Sequence, residues 1–507
     1  MEDSVGPGPS LGEGFVATAS TQIGRVLLIF GGAYLLRAIT DFQFVPTAFG
    51  ILLGAAYALF WLYMAYKKGG SDSQRASAAF YGGTSIVLAL PLLVEAVTRF
   101  NLLTGSQGIA ALLVVTGLAL SVAAVRDLRS LAWLTAGGSI AAAFAVIVAS
   151  HIAVAASAFL VAIGIASLWT VYWRHWLGLQ WLGAIGANAG ALALVVLSGS
   201  DQWAIEPLTV AGFGTGLMLT YLVSFALHSH VFSRNLGLFE IVQTLAIAGI
   251  ALWSARTAAA AGQLSLTPFG ILSIGLGATA YIFAFGRRTR GLRGPNFYYY
   301  SSFGLLLIVA GTALALPPAA AATLWSAMAV LMAWTSGRTG WVALSLQCTI
   351  LLLAAGFQSG LLTTGLQALA GAASPSWPLL LPWHIGIALA TVACLFLPVA
   401  QHSTRWGVAA GLPQLLVLAL SVWEVGGLMV VVAGRVFADA AGADPNLAVV
   451  AALRTVVLSA SSVTLALSSR FKRWPEARWL VYPVLILVGV KLFLEDFPRG
   501  EPATLFV

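Results

Sequence analysis

Apolar stretches of about 20 residues follow one another along almost the whole chain, and only short polar connections separate them. Each stretch is long enough to cross the roughly 30 Å hydrocarbon core of a bilayer as an α-helix. Charged residues make up only 8% of the chain, whereas they make up about 25% of a typical soluble domain. The pattern therefore predicts an all-α protein that forms a polytopic integral membrane helix bundle.

Apolar runs and the polar residues between them predict about 17 transmembrane helices in consecutive hairpins. Residues 1–20 are predicted to be a disordered cytoplasmic tail, residues 21–496 a single transmembrane domain, and residues 497–507 a short outer tail. Segment 359–378 is too polar to span and is interpreted as an interfacial outer segment. The predicted spans are 21–39, 46–66, 76–97, 106–125, 130–150, 152–172, 177–197, 207–227, 236–256, 267–286, 297–316, 317–336, 340–358, 379–398, 406–434, 446–468 and 478–496.

Basic residues are unevenly shared between the two sides that alternating spans create. With the N-terminus in the cytoplasm, seventeen Lys and Arg residues fall in cytoplasmic connections and only five fall outside. This bias predicts a cytoplasmic N-terminus and an outer C-terminus. Because these residues orient the chain in the lipid bilayer, the net charge of +8 does not predict nucleic-acid binding. The five outer residues are Arg37, Arg99, Arg256, Arg435 and Arg499.

Glu424 and Arg454 lie well inside predicted spans, where a charge costs several kcal/mol unless it is paired or hydrated. Glu424 lies eleven residues before Arg435 at an outer helix end, and Arg454 lies nine residues after Pro445. At a rise of about 1.5 Å per residue, the two depths agree to within roughly 3 Å. We therefore predict an intramembrane Glu424–Arg454 ion pair, which either pins two helices in register or belongs to a transport or proton path.

Three pairs of opposite charge, each spaced four residues apart, end apolar runs on the predicted outer side. Such a pair contributes only tenths of a kcal/mol when it is exposed on a helix. Convergence of the three pairs, which are distant in sequence, would create an outer charge cluster able to bind a polar headgroup, a sugar phosphate or a small ion. Its members are Arg37, Asp41, Glu95, Arg99, Lys491, Glu495 and Asp496.

Neither the positions of the histidines nor any known catalytic motif predicts a cofactor in this chain. A membrane b-type haem needs two histidines on facing spans, and only His384 lies well inside a predicted span. His228 and His230 lack a third ligand nearby, so no metal site is predicted. A phosphate-binding loop, an HExxH motif and a GxSxG motif with suitable partners are all missing. No catalytic residue and no cofactor are expected.

Both ends of the chain carry short motifs. The motif residues are Leu36, Arg37, Asp41, Pro46, Lys491, Leu492, Glu495, Asp496, Pro502, Thr504, Leu505 and Phe506. In these motifs the chain resembles large bacterial multi-spanning membrane proteins that are assigned only to a domain of unknown function. The resemblance implies a bundle of many spans in a bacterial inner membrane and brings no activity. Such proteins continue after a Thr-Leu-Phe motif into another apolar helix, so either a further C-terminal helix or an outer tail is expected.

Three functions compete on these features. A carrier or flippase-like protein for an envelope constituent is favoured by the intramembrane Glu424 and Arg454 and by glycines that permit broken helices. A non-catalytic scaffold or accessory subunit is favoured equally by the short loops and the missing catalytic motifs, and it implies other membrane subunits as partners. A lipid-linked glycosyltransferase or polymerase is less favoured, with Asp41 as the acid of its first outer loop.

Overall fold

The computed structural model describes residues 31, 46–200, 202–262, 265–286, 294–370, 379–397, 411–436, 447–471 and 474–493. In this described part the elements are all helical, and no strand is present. The predicted all-α class is therefore confirmed. Contacts divide the chain into two compact units, Met1–Ser265 and Leu266–Val507. This division by contacts does not test the single transmembrane domain predicted for residues 21–496, which stays a prediction.

The first unit contains eight described helices, which short connections join in sequence. Leu112, Leu160 and Leu194 are completely buried in its apolar core. A short 3₁₀ turn, Asp72–Gln74, precedes the second helix, and a π-helical turn, Leu227–Val231, follows the seventh. The helices are α1 (Thr47–Lys68), α2 (Arg75–Thr98), α3 (Gly105–Arg126), α4 (Arg129–Ser150), α5 (Ala153–Arg174), α6 (Leu179–Leu197), α7 (Pro207–Ala226) and α8 (Leu238–Ala260).

The second unit contains nine described helices. Glycines bring two of them, α9 and α10, close together: a Cβ added to Gly270 would lie 2.6 Å from the carbonyl oxygen of Gly311. Contacts of this kind match the small-residue packing of membrane helices. The helices are α9 (Thr267–Phe285), α10 (Pro295–Ala315), α11 (Pro318–Thr339), α12 (Val342–Gln358), α13 (Leu361–Ala370), α14 (Pro382–Phe396), α15 (Leu412–Val436), α16 (Leu447–Ser468) and α17 (Ala477–Lys491).

Local sequence sets the ends of these helices. Proline stands in the first turn of α7, α9, α10, α11 and α14, where its missing N–H leaves no helical hydrogen bond unmade. At the start of α3, the Gln107 N–H donates to Thr104 Oγ1 and the Thr104 N–H donates to Gln107 Oε1, which forms a capping box. Asp127, His151 and His175 end α3, α4 and α5 in the left-handed conformation. These ends reverse the chain within a few residues and produce consecutive hairpins.

Thirteen helices of the described part are long and apolar enough to cross a membrane. Every predicted span except the first coincides with a described helix, and the first, 21–39, lies outside the described residues. Within segment 359–378, Ser359 and Gly360 form a turn, residues Leu361–Ala370 form α13, and residues 371–378 lie outside the described part. This architecture is that of a multi-pass membrane protein.

Candidate functional site

A helix break in the second unit brings together the best candidates for a functional site. Helices α12 and α13 both follow an apolar pattern, but they meet at an angle of 73°. Gly360 lies at the break with φ +79°, a backbone conformation that side-chain-bearing residues rarely adopt. Such a bend marks either a broken span or a re-entrant loop. It leaves backbone groups without their helical partners inside an apolar surrounding.

Neighbouring helices supply hydrogen bonds to the backbone at this break. The carbonyl of Ser359 lies 3.0 Å from Nε2 of His384 in α14. The indole N–H of Trp423 in α15 donates to the carbonyl of Leu362 at 3.1 Å. At the start of α13, the Leu361 N–H donates to the Ser359 hydroxyl at 3.2 Å. The break is therefore supported on two sides by α14 and α15.

Glu424 in α15 lies directly beside the break, and it is completely buried. Its Oε2 accepts a 2.7 Å hydrogen bond from the Thr391 hydroxyl of α14. Its Oε1 has no hydrogen-bond partner among the residues of the structure. A Cβ added to Gly356 of α12 would lie 3.0 Å from that same oxygen. The carboxyl group is thus enclosed by three helices and is only half satisfied.

His384, like Glu424, has a buried polar atom without a hydrogen-bond partner among the described residues. Only 2% of the residue is exposed, and Nδ1 has no partner in the described structure. Because a carbonyl oxygen accepts only, the Nε2 atom of His384 is the donor in the contact with Ser359. His384 and Thr391 lie on one face of α14, two turns apart, a separation of roughly 10 Å along the helix. Ser359, His384, Thr391 and Glu424 form what we call the broken-helix site.

Arg454 in α16 binds backbone carbonyls instead of Glu424, its predicted partner. Its Nε donates to the carbonyl of Ala368 at 2.5 Å and its Nη2 to the carbonyl of Gln367 at 3.0 Å. Both carbonyls belong to the last turn of α13, where the helix dipole favours a cation. The ion pairs among described residues do not join Glu424 to Arg454, which corrects the predicted pairing. Equal depth did not make them partners because α13 supplies the acceptors that Arg454 uses.

The outer charge cluster is only partly within the described residues. Lys491 is buried and donates to the carbonyl of Ala451 at 2.9 Å and to the Thr455 hydroxyl at 2.6 Å, both in α16. Glu95 and Arg99 end α2 in the first unit, and the Arg99 guanidinium lies 5.2 Å from the centre of the Phe100 ring. Convergence of the cluster stays a prediction. The members outside the described residues are Arg37, Asp41, Glu495 and Asp496.

Sequence reasoning identified Glu424 but missed the polar residues that surround it. Thr391 is an ordinary threonine inside an apolar run, and nothing local separates it from other helical threonines. The sequence around Gly360 gave a clearer indication of the site, because the run Gln358-Ser359-Gly360 interrupts an apolar pattern with three polar or small residues. In the part of the chain that the structure describes, no three His, Cys, Asp or Glu side chains come close enough to hold a metal.

The site holds a carboxyl group and an imidazole, two side-chain groups that take part in proton transfer in many proteins. One carboxyl oxygen and one imidazole nitrogen, each buried and each without a hydrogen-bond partner among the described residues, lie at a place where the backbone departs from helical geometry. Intramembrane ionisable groups of this kind characterise ion and proton pathways. Comparison of the chain with family models, curated proteins and solved structures finds no match.

Proposed function

We propose that this chain is a proton-coupled carrier for an envelope constituent in a bacterial inner membrane, and that Glu424 binds and releases the proton. Its N-terminus lies in the cytoplasm in this proposal, in agreement with the excess of basic residues on that side. The observation that supports the proposal most is the environment of Glu424. The carboxyl group is completely buried at a helix break, and Oε1 has no hydrogen-bond partner among the described residues.

The energetic cost of such a group argues against a purely structural role. A buried polar atom without a partner costs about 1–3 kcal/mol, and an ionised group costs more. Among the described residues, the Thr391 hydroxyl is the one hydrogen-bond donor to the carboxyl oxygens. An ionised Glu424 therefore needs a proton, a cation or entering water to become stable. An ionisable residue that is buried at such a free-energy cost is expected to contribute to function.

The break between α12 and α13 gives this proton site a means of access. Carriers commonly use discontinuous helices, whose unwound residues line the substrate site near the middle of the membrane. At the break, the Ser359 carbonyl is held by the His384 ring and the Leu361 N–H by the Ser359 hydroxyl, and small helix movements can break both hydrogen bonds. Protonation of Glu424 beside Gly356 would then alter how α12 and α13 pack on α15.

A substrate-free experiment tests this proposal. Proteoliposomes containing the full chain are adsorbed to a solid-supported electrode, and a rapid step in pH is applied. Protons that reach a site inside the membrane field move charge, so we expect a transient current from the native protein. Glu424→Gln should abolish the transient, whereas Glu206→Gln, which removes an exposed acid, should leave it unchanged. Equal transients from native protein and Glu424→Gln would contradict the proposal.

A second function, that of a scaffold or accessory subunit, has one specific observation in its favour. An entirely apolar groove of about 490 Å³ lies between α14 and α15, with Leu389, Val425 and Met429 in its walls. Such a groove fits an apolar helix of a partner subunit. A scaffold needs no proton exchange, so the absence of any transient from the native protein would favour this second function. The polymerase alternative depends on Asp41, which lies outside the described residues.

A further inference from the structure

A cavity in the first unit has a composition that the carrier proposal does not use. It measures about 780 Å³, within the range of small-molecule sites, and it lies between α3, α5 and the π turn that follows α7. Trp169 and Trp173 of α5 form part of its wall. The broken-helix site belongs to the second unit, so this cavity is a separate feature.

The imidazole and guanidinium side chains of this cavity lie at one end of it. His175, His228 and Arg234 line it where α5 ends and α7 gives way to its connection. Gly117 and Ala166 line it farther inside the helices. Ala166 precedes His175 by nine residues, a distance of roughly 13 Å along the helix. The cavity is therefore basic at the helix ends and apolar about 13 Å deeper.

Specific contacts fix the position of His228 at the basic end of the cavity. The π turn places the His228 ring flat on the Tyr172 ring, with 3.6 Å between centroids and 7° between planes. The Tyr172 hydroxyl donates to Glu240 Oε1 at 3.1 Å, and Glu240 Oε2 accepts the Gly237 N–H at 2.7 Å. Glu240 is buried and caps α8. His228 is thus held in place by a chain of contacts, and π turns often mark functional positions.

The charges of the lining residues select the ligand. Arg234 is cationic and His175 and His228 are imidazoles, and none of the lining residues in the described structure is acidic. Guanidinium and imidazole N–H groups are the donors that phosphate oxygens accept. Farther from the basic end, the wall offers the Trp169 ring and the small residues Gly117 and Ala166, which fit a hydrocarbon chain. A ligand that satisfies both ends is an amphiphile with an anionic head.

We propose that this cavity binds an anionic phospholipid, with its phosphate among His175, His228 and Arg234 and one acyl chain along Trp169 and Trp173. The occupant is a lipid of the surrounding bilayer rather than a free anion, because the cavity continues into an apolar region that a free anion would leave empty. Tryptophan is enriched at membrane interfaces, and Trp173 stands two residues before His175 at the end of α5.

Native mass spectrometry of the full chain in detergent tests this site. The probes are phosphatidylglycerol, which is anionic, phosphatidylcholine, which is zwitterionic, and glycerol phosphate, which has no acyl chain. We expect phosphatidylglycerol to bind most tightly and glycerol phosphate not to compete. Arg234→Gln should lower the affinity for phosphatidylglycerol about tenfold, the effect of one lost charge-assisted hydrogen bond.

A pair of glycine variants makes the test specific to the cavity. Gly117 lines the cavity, and a Cβ added there meets nothing within 4 Å, so Gly117→Leu is chosen to place an apolar side chain in the cavity. Gly249 of α8 is equally open but is not one of the lining residues, so Gly249→Leu is the matched control. Gly117→Leu should abolish phosphatidylglycerol binding and Gly249→Leu should preserve it. Equal binding by both variants, equal binding of phosphatidylcholine, or full competition by glycerol phosphate would each overturn the proposal.

Discussion

Two buried glutamates in this chain have opposite surroundings. Glu240 uses both oxygens, one with the Tyr172 hydroxyl and one with the Gly237 N–H. Glu424 uses one oxygen with Thr391, and the other has no partner within the described structure. Burial alone therefore does not identify a functional acid. The satisfied glutamate stabilises a helix end, and the unsatisfied one is the candidate for proton exchange.

At this residue scale, sequence located the acid but not its partner. Glu424 is recognisable because an isolated carboxyl in an apolar run of this length needs an explanation. Arg454 lies at a matching depth, and pairing by depth assumes that two helices face each other directly. The carbonyls of Gln367 and Ala368 accept from Arg454 instead, and they belong to α13. The tertiary position of that short helix could not be obtained from spacing.

At the scale of elements, α13 depends on close contact with α15. A Cβ added to Gly427 of α15 would lie 2.6 Å from the Cα of Gly365 in α13, and this backbone atom has no side-chain freedom to move aside. Small residues at both positions therefore allow the short helix to pack beside Glu424. The polar character of segment 359–378 predicted that it does not span by itself, but it did not predict this packing.

Gly427→Ala tests the contact between α13 and α15. The added methyl group forces the two helices apart, and overpacking of this kind typically destabilises by about 1–3 kcal/mol. We expect a lower midpoint of thermal unfolding in detergent. Gly386→Ala in α14 is the control, because nothing lies within 4 Å of its added Cβ. An unchanged midpoint for Gly427→Ala would show that the contact does not stabilise the fold.

At the scale of the whole molecule, hydropathy was the most informative property of the sequence. Apolar runs predicted nearly every described helix to within a few residues, because a membrane helix must be apolar along its whole length. The division into two compact units left no comparable signal. It depends on which helices contact each other, and hydropathy does not encode that choice.

Sidedness of the first unit can be measured with single cysteines. Cys348 and Cys394 are both buried, so the native background of labelling by an impermeant maleimide should be low. Ser73 precedes α2 and Ser200 follows α6, and both are exposed. The proposed orientation predicts that Ser73→Cys reacts only from the cytoplasmic face and Ser200→Cys only from the outer face. Reaction of both from one face would overturn the alternation of spans.

The central claim is that Glu424 is an exchangeable proton site rather than a structural acid. Dicyclohexylcarbodiimide, an apolar reagent, modifies protonated carboxyl groups in membranes, and peptide mass spectrometry locates the adduct. We predict that the native protein is modified at Glu424 and that modification slows as pH rises, while Glu240, with both oxygens bonded, stays unmodified in the same sample. Modification of Glu240 without modification of Glu424, or of neither residue, would contradict the claim.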